Sequence, residues 1–369
     1  MTIPATMTAV QMTGHGGPDK LVLRHDVPVP VPGPGEVLIA VTAAGMNNTD
    51  INTRIGWYNR EVTTGTTREG AGKGLDVAAD AKGGWSGGIV FPRIQGMDAV
   101  GRIAAVGAGV AAGRIGERVM VEPYIPNETT GLPDIVGSER DGGFAQYLCV
   151  PASHARTIPE DLSVDDAALA TLPCSGGTAM NMALLAGARA GDLALVTGAS
   201  GGVGSFLVQI LAHMGAEVVA VAGRDKAAAV TALGAAHVVA RDSADIAAAV
   251  GTATGGRPLT LIADVVGGEH FAPLLALLGR GGRYVVAGAI GGPIVPLDLR
   301  TLYLNDLTFF GSTVYREDVF PTLLAFVAEG GVRPAVSQTR PLAEIAAAQA
   351  EFLEKRHVGS MVLLPPAAS

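Results

Sequence analysis

Charge is scarce in this chain. Only 16% of its 369 residues are Asp, Glu, Lys or Arg, and 34 acidic residues outnumber 26 basic ones, for a formal net charge of −8. No basic face is expected, so nucleic acid and acidic membrane surfaces are not expected partners. The two cysteines, Cys149 and Cys174, are too few for a disulfide framework and read as reduced thiols in a cytoplasmic setting. The opening MTIPATMTAVQMTG lacks a basic region followed by an apolar core, so no secretory leader is expected. Residues 167–188 and 193–216 carry no charged side chain, but CSGGT and TGASGGVG interrupt them. They fit buried elements of a soluble fold better than membrane spans.

What the chain has is apolar residues (48%) and glycine (51 residues), enough for a large core with many turns and close backbone approaches. Its length fits two domains. The first ~150 residues show short strand patterns separated by Pro and Gly, such as 21–25, 36–44, 100–106, 118–122 and 146–150. They predict a small, β-rich, barrel-like domain. From about residue 162 the texture changes. A mostly helical stretch, 164–188, breaks near Pro173. Strands are then predicted at 193–197, 217–222, 237–240, 259–266 and 283–288, with helices at 203–214, 225–233, 244–250 and 270–278 between them. Uniformly apolar strands joined by helices indicate a doubly wound parallel sheet, so the fold class is α/β. Residues 307–314 would add a sixth strand. Helix 318–329 and a last strand at 360–364 follow.

Between Tyr58 and Phe91 no period holds. A loop of that length within a compact domain is uncommon and reads as a lid, a binding loop or a mobile segment. The two tryptophans, Trp57 and Trp85, stand near its ends. Either they anchor the loop by packing or one of them walls a substrate pocket.

The most informative segment is 192–226. Gly198, Gly201, Gly202 and Gly204, interleaved with Ala199, Ser200 and Val203, lie between an apolar strand and an apolar-periodic helix. A turn free of Cβ atoms admits a pyrophosphate, and the helix N-terminus offers N–H groups and the positive end of its dipole. Where a coenzyme with a free ribose 2′-hydroxyl would be met by Asp or Glu, at the end of the second strand, the chain has Arg224. A guanidinium suits a 2′-phosphate, so NADP(H) is expected in preference to NAD. Lys226 and Arg241 either assist or are solvated surface charges, and Asp225 weakens the argument. Val266 and Gly288, near the ends of later strands, complete the cofactor-binding candidates together with Thr178.

With these pieces in place, the sequence resembles the medium-chain dehydrogenase/reductase superfamily over nearly its whole length. The matching segments are 33–50, 100–110, 116–119, 141–152, 197–204 and 281–288. The resemblance implies a GroES-like catalytic domain (1–160, with the 59–90 insert) and a Rossmann NADP-binding domain (161–315). A C-terminal segment (316–369) would return to the first domain, and the active site would lie in the cleft. Thr178, in GGTAM, resembles a contact on the nicotinamide side. An apolar edge strand at 307–314 implies a homodimer.

The superfamily divides on zinc. Zinc-dependent members have Cys where this chain has Asn47, and a His-Glu pair where it has Met97-Asp98, while Cys174 stands at the third ligand's place. One thiol, an amide and a thioether do not supply the three ligands of a catalytic zinc site, although Asp98 leaves a degenerate site open. The structural zinc lobe's cysteines are absent from 122–140. No metal is therefore expected, and the pattern resembles the quinone oxidoreductase branch, with its Asn47-x-x-Asp50 run and the GWY at 56–58. The implied reaction is hydride transfer from NADPH to a small-molecule carbonyl, enone or quinone. Without a Lewis acid, hydrogen-bond donors must receive the developing oxyanion charge, and the candidates are Asn47, Thr49 and Tyr58. Tyr58 would polarise the acceptor or deliver a proton, unless it is a packing tyrosine. Asp50 is expected to cap the following helix. Two other readings stay open: an alcohol dehydrogenase or carbonyl reductase with a degenerate metal site, and a non-catalytic NADPH-binding protein.

Overall fold

A computed structural model describes residues 3–75 and 83–367. The strand-rich first part forms two antiparallel assemblies around the long strand Glu36–Met46. On one side this strand pairs with Val100–Val106, and on the other its first half pairs with Tyr147–Pro151. Its second half pairs antiparallel with Ser360–Leu364, so the end of the chain lies beside residues 44–46. A smaller sheet joins Thr6–Met12 to Leu21–Pro28 and Arg93–Ile94. Glu36–Met46 is buried at nearly every position, which explains why it reads as a continuous apolar run (EVLIAVTAAGM) rather than an alternating one.

The second part is a six-stranded, all-parallel sheet. Its order is His237–Ala240, Glu217–Ala222, Leu193–Val196, Leu259–Asp264, Leu278–Val286, Thr308–Gly311. Leu193–Val196 is the first of these strands in the chain, and the next goes to one side of it and the fourth to the other. A crevice therefore opens at its C-terminal end, where such sheets bind ligands. Helices cover both faces, and Gly202–His213 packs its apolar face into a core with Gly177–Leu185 and Val319–Ala328. The expected α/β architecture is the one found.

Local differences have local causes. The helical stretch 164–188 is three pieces, Asp166–Leu169, a wide turn at Leu172–Gly176, and Gly177–Leu185. Pro173 removes a backbone donor there and loosens the winding. Several elements had no sequence signal, among them the strand Thr6–Met12 and the helix Leu299–Leu304. Val336–Pro341 (VSQTRP) is a half-exposed edge strand, and Ile345–Leu353 is a helix whose alanines obscure its period.

Within the long insert, Arg68–Lys73 is helical, with the Thr67 hydroxyl accepting the Gly70 N–H at 3.0 Å. A fully buried guanidinium anchors it: Arg54 donates to the carbonyls of Ala71 (3.0 Å) and Gly16 (2.6 Å) and to Gln349 Oε1 (3.1 Å). Burial lowers the Arg54 pKa to about 10, still well above neutrality. The insert also reaches the parallel-sheet part, where the Thr66 N–H donates to the Ile290 carbonyl at 3.0 Å. Residues 76–82, which fall within the expected irregular segment, lie outside the described residues. Among the described residues no helix is long and apolar enough to cross a membrane.

Candidate active site

The cleft between the two parts is organised by one carboxamide. Asn47, at the end of the long strand, caps the helix Asn48–Ile55, and its own N–H donates to Asp50 Oδ2 at 2.8 Å. Asp50 therefore acts at the third helical position rather than as the cap residue, and it also accepts the Met97 N–H at 3.3 Å. The Asn47 side chain is buried and fully directional. Its Nδ2 donates to Asp98 Oδ2 at 2.7 Å, and its Oδ1 accepts the Ser175 hydroxyl at 2.9 Å. Asp98 Oδ1 accepts the Cys174 N–H at 2.6 Å. Asp98 and Asn47 come from the strand-rich part and Ser175 from the wide turn preceding the parallel sheet, so the amide ties one part to the other.

Both carboxyl groups lack a cationic partner. Burial raises Asp98 to about 7 against the pull of its Asn47 and Cys174 hydrogen bonds, and raises Asp50 to about 7 against several backbone N–H donors. Burial, reinforced by Asp98 and Asp50, pushes the Cys174 thiol well above its ordinary value and keeps it protonated. Burial likewise holds Tyr58 above its usual range, so its phenol stays an O–H donor at neutral pH. Hydrogen bonding from Thr49 opposes the shift in both Tyr58 and Cys174, which places Thr49 between them. Asn47, Thr49, Tyr58 and Cys174 therefore form one cluster.

An aromatic wall borders it. Trp85, from the insert, packs 4.8 Å from Tyr58 and 6.0 Å from Tyr124 between ring centroids, and Tyr124 lies 4.7 Å from Tyr315. The Tyr315 hydroxyl donates toward the carbonyls of Pro173 (2.8 Å) and Cys174 (2.9 Å) and lies 3.1 Å from the Thr178 hydroxyl. Trp57 instead donates its indole N–H to the Thr64 carbonyl at 2.9 Å and packs edge-on against Tyr58. Both tryptophans anchor by packing: Trp57 ties the insert's start, and Trp85 joins the insert to Tyr58 and Tyr124.

The glycine-rich turn lies at the crevice of the parallel sheet. Gly198 has φ of 57°, the left-handed region that a side chain would strain, and a Cβ there would also meet Val265 at 3.0 Å. Gly201 caps the helix Gly202–His213. Ala199 and Gly201 are held by backbone bonds to Val221 (3.1 Å) and Gly198 (3.0 Å). The Ser200 carbonyl accepts the Gly359 N–H at 3.0 Å, so the C-terminal segment closes over the turn. Val203 and Gly204 lie in the first turn of the helix. Val266 and Gly288 stand at the neighbouring strand ends, where Asp264 Oδ1 accepts the Val266 N–H at 2.8 Å. These residues meet at the C-terminal end of the parallel sheet, around its crevice.

The basic candidates separate. Arg224 and Arg241 are exposed, and among the described residues Arg224 pairs only with the exposed Asp242. Lys226 is buried, its ammonium held by the carbonyls of Lys355 and His357. It is not one of the solvated charges the sequence left open. Lys355 joins it from the C-terminal segment, donating to Asn48 Oδ1 at 2.7 Å and standing 3.9 Å over the Phe352 ring. Burial and the charge of Lys226 lower Lys355 to about 7. Lys355, Ser175, Tyr124 and Tyr315 are site residues that sequence reasoning missed. Asp98 enters the sequence reading only as a metal ligand. Ser175 lies within CSGGT and was within reach of the motif, whereas nothing near Lys355 marks it, because it meets Lys226 and Asn48 only through the fold.

Zinc fits these residues poorly. Among the described residues no group of three or more His, Cys, Asp or Glu side chains is placed to hold a metal ion. Near Cys174, a protonated thiol, an amide engaged at both ends and one carboxyl group do not make a catalytic ligand set.

Comparison with known proteins bears on the same elements. Residues 33–160 match the family model described as an alcohol dehydrogenase GroES-like domain, and residues 202–329 match that of a zinc-binding dehydrogenase. A solved structure from Sinorhizobium meliloti 1021, provisionally described as an alcohol dehydrogenase, superposes with a TM-score of 0.87. It is 45% identical, covering 99% of this chain and 98% of that one. A quinone oxidoreductase of Lama guanicoe is 28% identical over 364 residues, covering 97% of each chain. An NAD-dependent alcohol dehydrogenase of Sulfurisphaera tokodaii is 28% identical over 376 residues, covering 97% of this chain and all of the relative.

Proposed function

The chain belongs to the medium-chain dehydrogenase/reductase superfamily, in its quinone oxidoreductase-like branch, and we propose that it is a reductase that moves hydride from NADPH to a quinone or an α,β-unsaturated carbonyl without catalytic zinc. One observation carries this reading. Where zinc-dependent members place a metal ligand, Asn47 is locked between Asp98 and Ser175 by hydrogen bonds of 2.7 and 2.9 Å.

The glycine turn 198–204 would hold the pyrophosphate at the start of Gly202–His213, with Thr178, Val266 and Gly288 flanking the nicotinamide half. Arg224, with Arg241 beside it and the Lys226/Lys355 pair behind, would supply positive charge for the 2′-phosphate. Bound NADPH supplies the hydride. The protein's part is to orient the acceptor against the aromatic wall and to stabilise negative charge on its oxygen. Asn47 Nδ2–H is the principal donor, and the Tyr58 phenol, kept protonated by burial, is the second donor and proton source. The proton lost from Tyr58 returns from solvent, which completes the two-electron, two-proton reduction. The site works as a homodimer in the cytoplasm in this reading, paired through the open edge at Thr308–Gly311.

The test is an acceptor panel of quinones, enones, aldehydes and alcohols, followed by NADPH or NADH absorbance with and without chelator. NADPH-dependent, chelator-insensitive reduction of quinones or enones is expected. One tightly bound zinc per chain with activity lost on chelation would overturn it in favour of an alcohol dehydrogenase. Tight NADPH binding with no turnover on any acceptor would leave a binding protein.

A further inference from the structure

An amide has two faces that look alike in shape and are opposite in chemistry: one side offers N–H, the other a carbonyl oxygen. If Asn47 is to stabilise an oxyanion, its carboxamide must be held the right way round. Two side chains, Asp98 and Ser175, do this. Asp98 Oδ1 is engaged by the Cys174 backbone N–H, and its Oδ2 faces Asn47. Asn47 Nδ2 donates to that oxygen at 2.7 Å, which turns Asn47 Oδ1 to the other side. The hydroxyl of Ser175 then donates to Asn47 Oδ1. One amide hydrogen remains with no partner among the described residues.

We propose that Asp98 is a positioning residue: it fixes the orientation of the Asn47 carboxamide so that an N–H, and not the carbonyl oxygen, is left for the acceptor. The proposal rests on the reading that Asn47 donates to the acceptor oxygen. The fold accommodates the arrangement at Gly45, where a Cβ would run into the Asp98 carboxyl group and the Ala170 carbonyl. The chain thus gives up a side chain in its central strand to let Asp98 approach Asn47.

The substitution Asp98→Asn is isosteric and makes the opposite demand. The substituted side chain must still give an oxygen to the Cys174 N–H, so its NH₂ faces residue 47. The Asn47 amide then turns over to accept, donates to the Ser175 oxygen instead, and puts a carbonyl where the N–H stood. Removing one such donor lowers turnover by roughly 10²–10³-fold. In Asp98→Asn, kcat should therefore fall by about that factor while the KM for NADPH stays within about 3-fold, and Asn47→Ala should match it. The exchange Asn47→Asp with Asp98→Asn restores both hydrogen bonds, with donor and acceptor reversed between positions 47 and 98 and the Ser175 hydroxyl still donating to residue 47. It should recover the wild-type melting temperature yet stay as inactive as Asn47→Ala.

A readout that needs no turnover is the side-chain amide of Asn47 in protein carrying ¹⁵N-asparagine. One of its two protons should be displaced by the bond to Asp98, and that displacement should shrink in Asp98→Asn, where a neutral hydroxyl replaces the carboxyl group as acceptor. The proposal is overturned if Asn47→Ala is inactive while Asp98→Asn keeps its kcat, if the exchanged pair regains activity, or if the amide signal ignores Asp98. An active Asn47→Ala would instead refute the underlying assignment of Asn47, and the amide signal would still decide whether Asp98 orients it.

Discussion

Gly202 packs so closely beneath Ser175 that a Cβ on Gly202 would stand 2.5 Å from the Ser175 Oγ. The first residue of the coenzyme helix thus touches the side chain that holds the Asn47 amide. The dinucleotide turn and the reacting cluster are two side chains apart.

Gly202→Ala should therefore do more than narrow the turn. It forces Ser175 away from Asn47 and costs about 1–3 kcal/mol of stability, as overpacking does. Gly251, in the helix Ile246–Ala253, has open space where a Cβ would go. Gly251→Ala should raise stability by about 0.5–1 kcal/mol. Urea unfolding of the two variants reads the opposite signs directly.

Among the described residues Arg224 is tied only to exposed Asp242, an ion pair that holds it weakly. Its guanidinium can exchange that partner for a 2′-phosphate. Arg224→Ala should raise the KM for NADPH by about 10–100-fold, the worth of one charged hydrogen bond, and leave that for NADH nearly unchanged. Equal effects on both coenzymes would reject the assignment.

Lys355, lowered to about 7 by burial first and by Lys226 second, is charged below pH 7 and largely neutral above it. NADPH affinity should therefore weaken as pH rises from 6 to 9, and binding above pH 7 should take up a proton. KM for each coenzyme across that range, with heats measured in two buffers of different ionisation enthalpy, tests this. Lys355→Met should abolish the pH dependence.

Asp50 is raised by burial to about 7, against about 3.9 for an unfolded aspartate. Between these values the folded chain holds a proton that the unfolded chain has released. The stability contribution is therefore complete below about pH 4 and is lost as pH rises through 7. Asp50→Asn should flatten this part of the stability profile, so the variant compares best with the wild type at pH 8 and worst at pH 5. Urea midpoints at those two values decide it.

The edge strand Thr308–Gly311 has a neighbour on one side only, and Tyr303, Leu304 and Val314 nearby are more than half exposed. A dimer through this edge should give twice the chain mass in light scattering. Leu304→Lys with Val314→Lys should shift it to monomer.

Much of the fold could be read from period and punctuation. Val100–Val106 and Ser360–Leu364 coincide with their predicted limits, because apolar runs bounded by Gly or Pro leave little choice. The glycine-rich turn between strand and helix was equally plain, since its glycines are local in sequence. The site was legible only in part. Asn47, Thr49 and Tyr58 lie within one strand–helix unit and could be proposed together. Asp98, Ser175, Tyr315 and Lys355 come from four distant segments, and only tertiary folding brings them to that unit. Lys226 shows the limit most clearly. In sequence it is a charge after a strand, and its burial depends on carbonyls 129 and 131 residues away.

The hydrogen bond from Thr66 to Ile290 links an excursion of the strand-rich part to a loop of the other. Any separation of the two halves must break it, so the insert is a tether between them as well as a covering for its own half.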